Sequence, residues 1–469
     1  MIRLSFVLLF VLTFSPILGQ QETIVSSAQG VTQPESYVER IRQNGAVLEL
    51  SLRDAIRLAL SNNLEIAIEE FNEDLNRERI IDTKGFYDPV LDFRFGWQSN
   101  QFPNTSSLDA GRGILARDST NLAFGSSVRQ NVPGGGNFAF NFDNSRGKTN
   151  STFRFINPSF GSTLDVSFVQ PLWRGFLETP TDRQLKMYNL DTEITDSQFR
   201  QRVSQIVQQV ERQYWELVFS IDNHETQRQS VQLAIIQYED NEKRVEIGVS
   251  APIEITSSRA EVAIREQDMI QSEVLIINAQ NALKRLLTPD PDASLWNLSM
   301  IPTDHPQMQN LRIGLGEAIQ TALERRPELE QIHLEMEKND VDRNYLRKAG
   351  KPAVDLSFGL TSAGSSGQVF KVDQFTATPV LFQDHPLFGN FGNSFSQVFG
   401  FDFLSYGVFV DVQIPLRNRS NEAQLAQVSI NERQMVSRLK NIQQMIIVEV
   451  RNAFEVITTQ KKRLEAARM

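Results

Sequence analysis

The spacing of apolar residues along this chain changes from helical to strand-like and back to helical, and this order occurs twice. Residues 51–66 and 314–329 both carry apolar residues at helical spacing, and Ala55 of the first segment matches Ala318 of the second. This offset of 263 residues holds without a gap as far as Gly96 and Gly359, with about 11 identities in 46 positions. A duplicated unit with such a change of period restricts the fold more than any single motif does.

Start and stop signals define the first helices of each unit. Ser51 stands at an N-cap position with Asp54 three residues later, which resembles a capping box. The helical spacing breaks near Asn62, and a second helix is predicted from residue 64 to about residue 84, before Pro89.

Strand-like alternation follows in both units. Apolar and polar residues alternate in five segments, whose apolar members are Leu91, Phe93, Phe95 and Trp97; Phe138, Phe140 and Phe142; Leu164, Val166 and Phe168; Val354, Leu356, Phe358 and Leu360; and Tyr406, Val408, Val410 and Val412. One face of each strand is therefore apolar and the other polar. A membrane β-barrel strand in contact with lipid needs this pattern, and a half-buried strand of a soluble sandwich has it too.

The connections between these strands alternate in length. Residues 99–119, 144–162 and about 362–404 are predicted long loops, whereas residues 133–136 (Pro-Gly-Gly-Gly) form a tight turn. Long loops on one side and short turns on the other are typical of outer membrane barrels. We expect four strands in the first unit, within about residues 90–172, and two in the second, within about residues 353–415. The pattern leaves open whether four or six strands per protomer enter a barrel.

Long polar helices follow the strands. No Pro or Gly interrupts residues 182–247, and the apolar stripe of this segment consists of Val203, Ile206, Val207, Val210, Tyr214 and Leu217. A break at residues 248–252 precedes a second helix over about residues 254–287. Helices of this length with a thin apolar stripe are typical of coiled-coil partners.

The second unit ends in a similar helix, beginning near residue 421, with a stripe of Leu439, Ile442, Ile446, Val450, Ala453 and Ile457. The predicted organisation is a signal peptide (1–19), an irregular N-terminal arm (20–48), a first repeat (49–288), a linker (289–312) and a second repeat (313–469). We expect the second repeat to be C-terminally truncated, without the counterpart of roughly residues 230–287.

Composition favours an exported protein in contact with lipid. The first residues contain one basic residue, Arg3, an apolar run and then Pro16, which is typical of a secretory signal peptide. The sequence contains 31 Phe, and 24 of them lie in residues 86–176 and 358–409, which favours local lipid contact. The chain has no Cys, which excludes disulfides and thiolate sites, and its formal net charge of −10 argues against nucleic-acid binding.

No catalytic or cofactor motif is present in the sequence. The four His residues are scattered without metal-ligand spacing, and no phosphate-binding loop or nucleophile elbow occurs. We therefore expect a protein that is not an enzyme and holds no metal or cofactor; a periplasmic enzyme is the least favoured reading.

Four segments in order resemble the TolC family of outer membrane efflux proteins. They are LSLRDAIRLALSNNLEI at 50–66, VQPLWRG at 169–175, VERQYWELV at 210–218 and RVEIGVSAPIEITSSRAEV at 244–262. This resemblance implies an α+β membrane protein with a duplicated helix, strands and long helical hairpin. It implies a homotrimer whose single β-barrel crosses the outer membrane and continues as an α-helical coiled-coil tunnel in the periplasm.

The resemblance also implies partners and a function. The expected function is a passive channel for small toxic compounds or secreted proteins in a tripartite efflux or type I secretion system. Its partners would be outer membrane lipid, a periplasmic adaptor and an inner-membrane transporter, and no nucleic acid. The adaptor would contact the periplasmic tip at Arg244, Ile247, Gly248, Val249 and Ser250, although Gly248 could simply end a helix.

The sequence departs from the family in two ways. The hairpin around residues 133–136 exceeds the usual two strands per repeat, so it would enlarge the barrel or pack elsewhere. The missing end would carry the periplasmic gate, so no gate residue can be assigned. The alternative function is an exported coiled-coil scaffold or trimeric adhesin without a pore.

Overall fold

The computed structural model describes residues 36–468, except residues 106–108, 110, 112, 152–153, 308–312 and 373–378. The predicted signal peptide and the first part of the arm lie outside the described residues. The chain divides into two compact units. The first, here called the hairpin unit, comprises the residues up to Ala55 and Val210–His305. The second, here called the sheet unit, comprises Ile56–Gln209 and Pro306–Met469.

The two repeats begin with the same pair of helices. The first repeat has α2 (Leu52–Asn62) and α3 (Leu64–Lys84), and the second has α6 (Leu315–Arg325) and α7 (Pro327–Ala349). The offset of 263 residues maps both ends of α2 onto those of α6. Ser51 Oγ accepts from the backbone N–H of Asp54 at 3.1 Å, which confirms the predicted helix start.

Six long strands of the sheet unit form one antiparallel sheet. They are β2 (Val90–Pro103), β3 (Ala116–Val132), β4 (Gly136–Thr149), β5 (Ile156–Pro171), β7 (Ala353–Val372) and β9 (Phe403–Gln413), in the spatial order β2-β3-β4-β5-β7-β9. The short β8 (Pro379–Leu381) pairs with the end of β7. The hairpin β3–β4 lies inside this sheet between β2 and β5, so it does not pack elsewhere.

The predicted tight turn connects β3 and β4. Gly134 and Gly135 have φ angles of +94° and +90°, which only glycine adopts at little cost. The predicted loops at 99–119, 144–162 and 362–404 are shorter than expected because each flanking strand extends into them. The third also contains the helix α8 (Phe391–Gly400).

Long helices follow the strands in both repeats. They are α4 (Pro180–Glu246), α5 (Ile253–Leu287) and α9 (Arg419–Arg468). Of the predicted stripe on α4, Ile206, Val210, Tyr214 and Leu217 are fully buried, whereas on α9 only Ile446 is buried. Among the described residues, no helix has the length and apolar character needed to cross a membrane.

The hairpin unit corrects the expectation of an irregular arm. Residues Tyr37–Asn44 form α1, and β1 (Val47–Leu50) pairs in parallel with β6 (Ser299–Pro302) in the predicted linker. The ring of Tyr37 lies 5.5 Å from that of His224 on α4, and Arg40 forms an ion pair with Glu273 on α5 at 2.8 Å. Tertiary contacts therefore order residues that have no repeating pattern of their own.

Candidate functional site

The strand register gives the sheet one apolar and one polar face, as the alternation predicts. Side chains directly opposite each other in an antiparallel pair share a face. The apolar face contains Phe93, Phe95 and Trp97 of β2, Phe138, Phe140 and Phe142 of β4, and Tyr406, Val408 and Val410 of β9. The polar face contains Asp92, Arg94, Arg129, Asp143, Asp165, Asp355 and Asp411. The charged residues of the apolar face (Asp118, Arg146 and Lys148) lie at the loop end of β3 and β4.

The first and last long strands leave two open edges. Within the described chain, β2 pairs only with β3, and β9 pairs only with β7. Nearly every residue of these two strands is exposed, including Phe93 and Tyr406. An open edge of this length presents unpaired backbone N–H and C=O groups that can pair with another strand.

A short helix that the sequence did not predict covers part of the apolar face. The ring centroid of Phe391 in α8 lies 5.3 Å from that of Phe124 and 4.8 Å from that of Phe160. The ring of Phe399 lies 5.8 Å from that of Phe142. The i, i+4 spacing of Phe391, Phe395 and Phe399 is the one sequence signal that could have revealed this helix.

The predicted adaptor contact lies at the turn between α4 and α5. Arg244 belongs to the last turn of α4, and Ile247, Gly248, Val249 and Ser250 follow it. The N–H of Val249 bonds to the carbonyl of Arg244 at 2.9 Å, and the N–H of Gly248 bonds to that of Val245 at 2.9 Å. These two bonds define a Schellman motif, in which Gly248 has a φ angle of +77°.

The same turn exposes apolar side chains. Ile247 and Val249 are 74% and 72% exposed, and Ile253 at the start of α5 is 72% exposed. A Cβ at Gly248 would meet nothing within 4 Å, so the backbone conformation rather than crowding within the chain favours glycine there. An open groove of about 840 Å³ runs between α4 and α5 beside this turn, with Arg244 and Glu254 among its lining residues.

Polar side chains are buried between α4 and α5 farther from the turn. Nδ1 of His224 lies 2.7 Å from the hydroxyl of Ser272, and both residues are buried. Burial lowers the pKa of His224 because it disfavours the charged imidazolium; Glu273 opposes this effect and Arg40 adds to it. The charged neighbours of His224 along the chain favour a solvated side chain, and the structure corrects this expectation because the side chain is buried.

Tyr214 connects α4 to strand β1 and to the segment that follows β6. Its hydroxyl oxygen lies 3.1 Å from the backbone carbonyl oxygen of Leu50 and 3.0 Å from a carboxylate oxygen of Asp304, which share its one proton as acceptors. The hydroxyl also accepts the backbone N–H of Asp304 at 3.2 Å. The same Asp304 oxygen accepts the backbone N–H of Leu52 at 2.7 Å. The sequence indicated Tyr214 only as a member of an apolar stripe.

The described residues contain no group of three or more His, Cys, Asp or Glu side chains that could hold a metal ion. The candidate functional sites of the chain are instead surfaces: the two faces and two edges of the sheet, and the exposed turn between two long helices.

No family model and no curated protein matches the chain. Solved structures do match. CusC, described for its folding and transmembrane channel formation, is 15% identical with a TM-score of 0.58, over 93% of this chain and 81% of that one. The Campylobacter jejuni CmeC outer membrane channel is 13% identical with a TM-score of 0.54, over 97% and 83%. The outer membrane protein VceC from Vibrio cholerae is 13% identical with a TM-score of 0.54, over 89% and 80%.

The chain has the TolC fold. The resemblance found in the sequence is thereby confirmed for the fold over about nine tenths of the chain. Within the TolC fold, the described part of this chain places six long strands in a single sheet.

Proposed function

We propose that this protein is the outer membrane channel of a tripartite efflux or type I secretion system, a passive conduit and not an enzyme. The observation that carries the proposal is the antiparallel sheet with one apolar face and two open edges, in a chain that has the TolC fold. A barrel crossing lipid must pair every strand edge and turn its apolar face outward. The sheet meets both requirements when copies of the chain join edge to edge.

A homotrimer closes this arrangement. The β9 edge of one protomer pairs with the β2 edge of the next, and three protomers with six long strands each make a barrel of about 18 strands. Barrels of this size leave an aqueous channel. The polar face, with Asp143, Asp165 and Asp355, would line that channel, and the long helices would form the periplasmic tunnel.

The experiment is to purify the protein from outer membranes and to measure its mass in detergent and its conductance in planar bilayers. We expect a trimer that gives discrete conductance steps. A trimer that never conducts would favour the alternative function, an exported coiled-coil scaffold or adhesin without a pore. A monomer would contradict the trimeric channel and would likewise favour the scaffold.

The exposed turn between α4 and α5 is the proposed adaptor contact, with Arg244, Ile247, Gly248, Val249 and Ser250 as its residues. Exposed apolar side chains at a helical tip suit a helical partner, and the inner-membrane transporter would join through that adaptor. A photoreactive side chain at position 249, introduced in the native host, should crosslink to a periplasmic protein. The same side chain at position 264, an exposed Ile on α5, is the control. Equal crosslinking at both positions would contradict a contact specific to the turn.

A further inference from the structure

The apolar face of the sheet is interrupted by a polar patch on β7, and α8 lies on this patch. Ser362 and Ser366 follow Leu356, Phe358 and Leu360 on the same face and replace apolar side chains with hydroxyls. Both serines are fully buried, which shows that α8 shields them.

Hydrogen bonds join the patch to the backbone of α8 and of Asn390, the residue that caps its start. Ser362 donates its hydroxyl to the carbonyl of Val398 at 2.7 Å, and Ser366 donates to the carbonyl of Asn390 at 2.6 Å. These bonds satisfy the hydroxyls without water.

The contact between helix and strand is close at Gly364. Ser394 of α8 donates its hydroxyl to the carbonyl of Gly364 at 3.0 Å. A Cβ at Gly364 would collide with the carbonyl oxygen of Ser394, so only glycine permits this approach. The backbone of α8 is therefore in direct contact with the backbone of β7 at this position.

The bonding pattern distinguishes a lipid environment from a water-filled one. In hydrocarbon, an uncovered hydroxyl has no water to bond and costs several kcal/mol. In an aqueous channel the same hydroxyls would be solvated and would need no cover. A helix that covers and bonds the two serine hydroxyls of β7 on this aromatic-rich face fits the lipid side. On the neighbouring strands, the buried Ser162 Oγ and Asn144 Oδ1 of the same face have no hydrogen-bond partner among the described residues.

The exposed residues of α8 are Gly392, Asn393, Ser396, Phe399 and Gly400, a mixture of one aromatic and several small or polar side chains that suits the boundary between lipid headgroups and hydrocarbon. The helix contains no charged residue. Phe399 is 62% exposed, and Phe401 after the helix is 50% exposed with a left-handed φ angle of 58°. That conformation costs a non-glycine residue about 1–2 kcal/mol, so glycine would be the more stable residue there if Phe401 met only water.

We propose that α8 belongs to the lipid-contacting surface of the protein, with Phe399 and Phe401 at the boundary between lipid headgroups and hydrocarbon. This inference rests on the proposed function, which turns the apolar face of the sheet toward lipid. Barrels carry aromatic side chains at this boundary, and here a helix supplies part of that aromatic band.

Because the chain contains no Cys, a single cysteine can be spin-labelled without background. The variant F399C, in the full-length protein in phospholipid bilayers, would be compared with V408C on the apolar face and F409C on the polar face. Phe409 is 64% exposed, so it matches Phe399 in exposure while lying on the other face. Electron paramagnetic resonance then measures how far dissolved oxygen and a water-soluble nickel complex reach each label.

We expect the ratio of oxygen to nickel accessibility at position 399 to be several-fold higher than at 409 and close to that at 408. A ratio at 399 equal to that at 409 would overturn the proposal, because the helix would then face water. If F399C does not fold, S396C on the exposed side of α8 provides the same comparison with a nearly isosteric change.

Conductance of the same variants separates this proposal from the proposed function. Discrete conductance steps with a water-exposed label at 399 would overturn the role of α8 and leave the channel intact. Water-exposed labels at 399 and 408 without conductance would overturn both. A lipid-exposed label at 399 supports the role of α8 whether or not the protein conducts.

Discussion

Asn339 occupies the same position in the second repeat that Asn76 occupies in the first, and both side chains bond to the long helix that follows the strands. Asn76 donates to the hydroxyl of Thr195 on α4 at 2.6 Å, and Asn339 donates to the carbonyl of Val428 on α9 at 3.3 Å. Both asparagines are buried. The duplication has thus kept one polar contact as well as the order of elements.

This equivalence predicts that both positions contribute to stability. We expect N76A to lower the free energy of unfolding by about 1–2 kcal/mol, because it removes a buried side-chain hydrogen bond and the packing of the amide. N339A should lower it as well. Urea unfolding of the purified protein, followed by circular dichroism, measures the change. The exposed Asn72, which bonds to Glu69 on the same helix, is the control, and N72A should change stability by less than about 0.5 kcal/mol.

A second prediction concerns Tyr214. The substitution Y214F keeps the buried ring and removes the hydroxyl that bonds to Leu50 and Asp304. We expect a loss of about 1–2 kcal/mol, because these hydrogen bonds disappear and the backbone N–H of Asp304, which donates to the Tyr214 hydroxyl at 3.2 Å, loses its acceptor. The hydroxyl of the half-buried Tyr238 bonds at the surface to Glu242, so Y238F should have almost no effect in the same unfolding measurement. Equal losses for both variants would contradict the role assigned to the Tyr214 hydroxyl.

The buried His224 predicts a dependence of stability on pH. Because burial lowers its pKa in the folded state, the unfolded chain takes up the proton first, near the ordinary value of 6.5. Stability should therefore be complete above about pH 6.5 and fall as the pH drops below that value, until the folded pKa is reached. Thermal unfolding between pH 5 and 8 measures this slope.

The control variants for His224 test the cause of the slope. H224N can keep a bond to Ser272 but cannot titrate, so its unfolding temperature should vary less over this pH range. H333N changes an exposed histidine on α7 and should keep the wild-type slope. An unchanged slope in H224N would mean that other groups cause the pH dependence.

Replacing two different glycines with alanine should change the stability in different directions. G248A should weaken the turn between α4 and α5 by about 1 kcal/mol, because alanine resists a φ angle of +77° even where space is open. Gly316 lies within α6, where a Cβ also meets nothing within 4 Å, so G316A should be neutral or stabilising. Hydrogen exchange at Val249 and Ser250 measures the first effect, and urea unfolding measures the second. Slower exchange in G248A would contradict the conformational argument.

The sequence predicted the elements whose patterns are long or duplicated. The bounds of α2, α3, α4 and α5 lie within one or two residues of expectation, because helical spacing and clear stop signals agree there. The alternation in β2, β4 and β9 also predicted which side chains share a face. The sequence predicts that residues 247–250 lie together only because they are consecutive. The Schellman motif and the exposure of the apolar side chains are seen only in the structure.

The sequence did not predict the elements that depend on distant partners. Helix α8 contains Gly392, Asn393 and two serines, which favour a loop, and its contacts with β7 outweigh that tendency. Strand β1 has four residues and no pattern beyond them, because its partner is β6 in the linker. His224 has charged neighbours along the chain, and its burial comes from α1 and α5.

The pairing of β1 with β6 has a consequence for the order in which the protein folds. The amide of Leu52 bonds to a side chain 252 residues away, so the start of the described chain cannot be fixed until the whole first repeat is available. Closing such a large loop is slow, because chain entropy opposes it before any contact is gained. The segment that contains β1 is therefore synthesised early but is among the last to pack. Until β6 is synthesised and pairs with it, Leu50 and Ala55, which are buried in the folded protein, remain accessible to proteases and prone to aggregation.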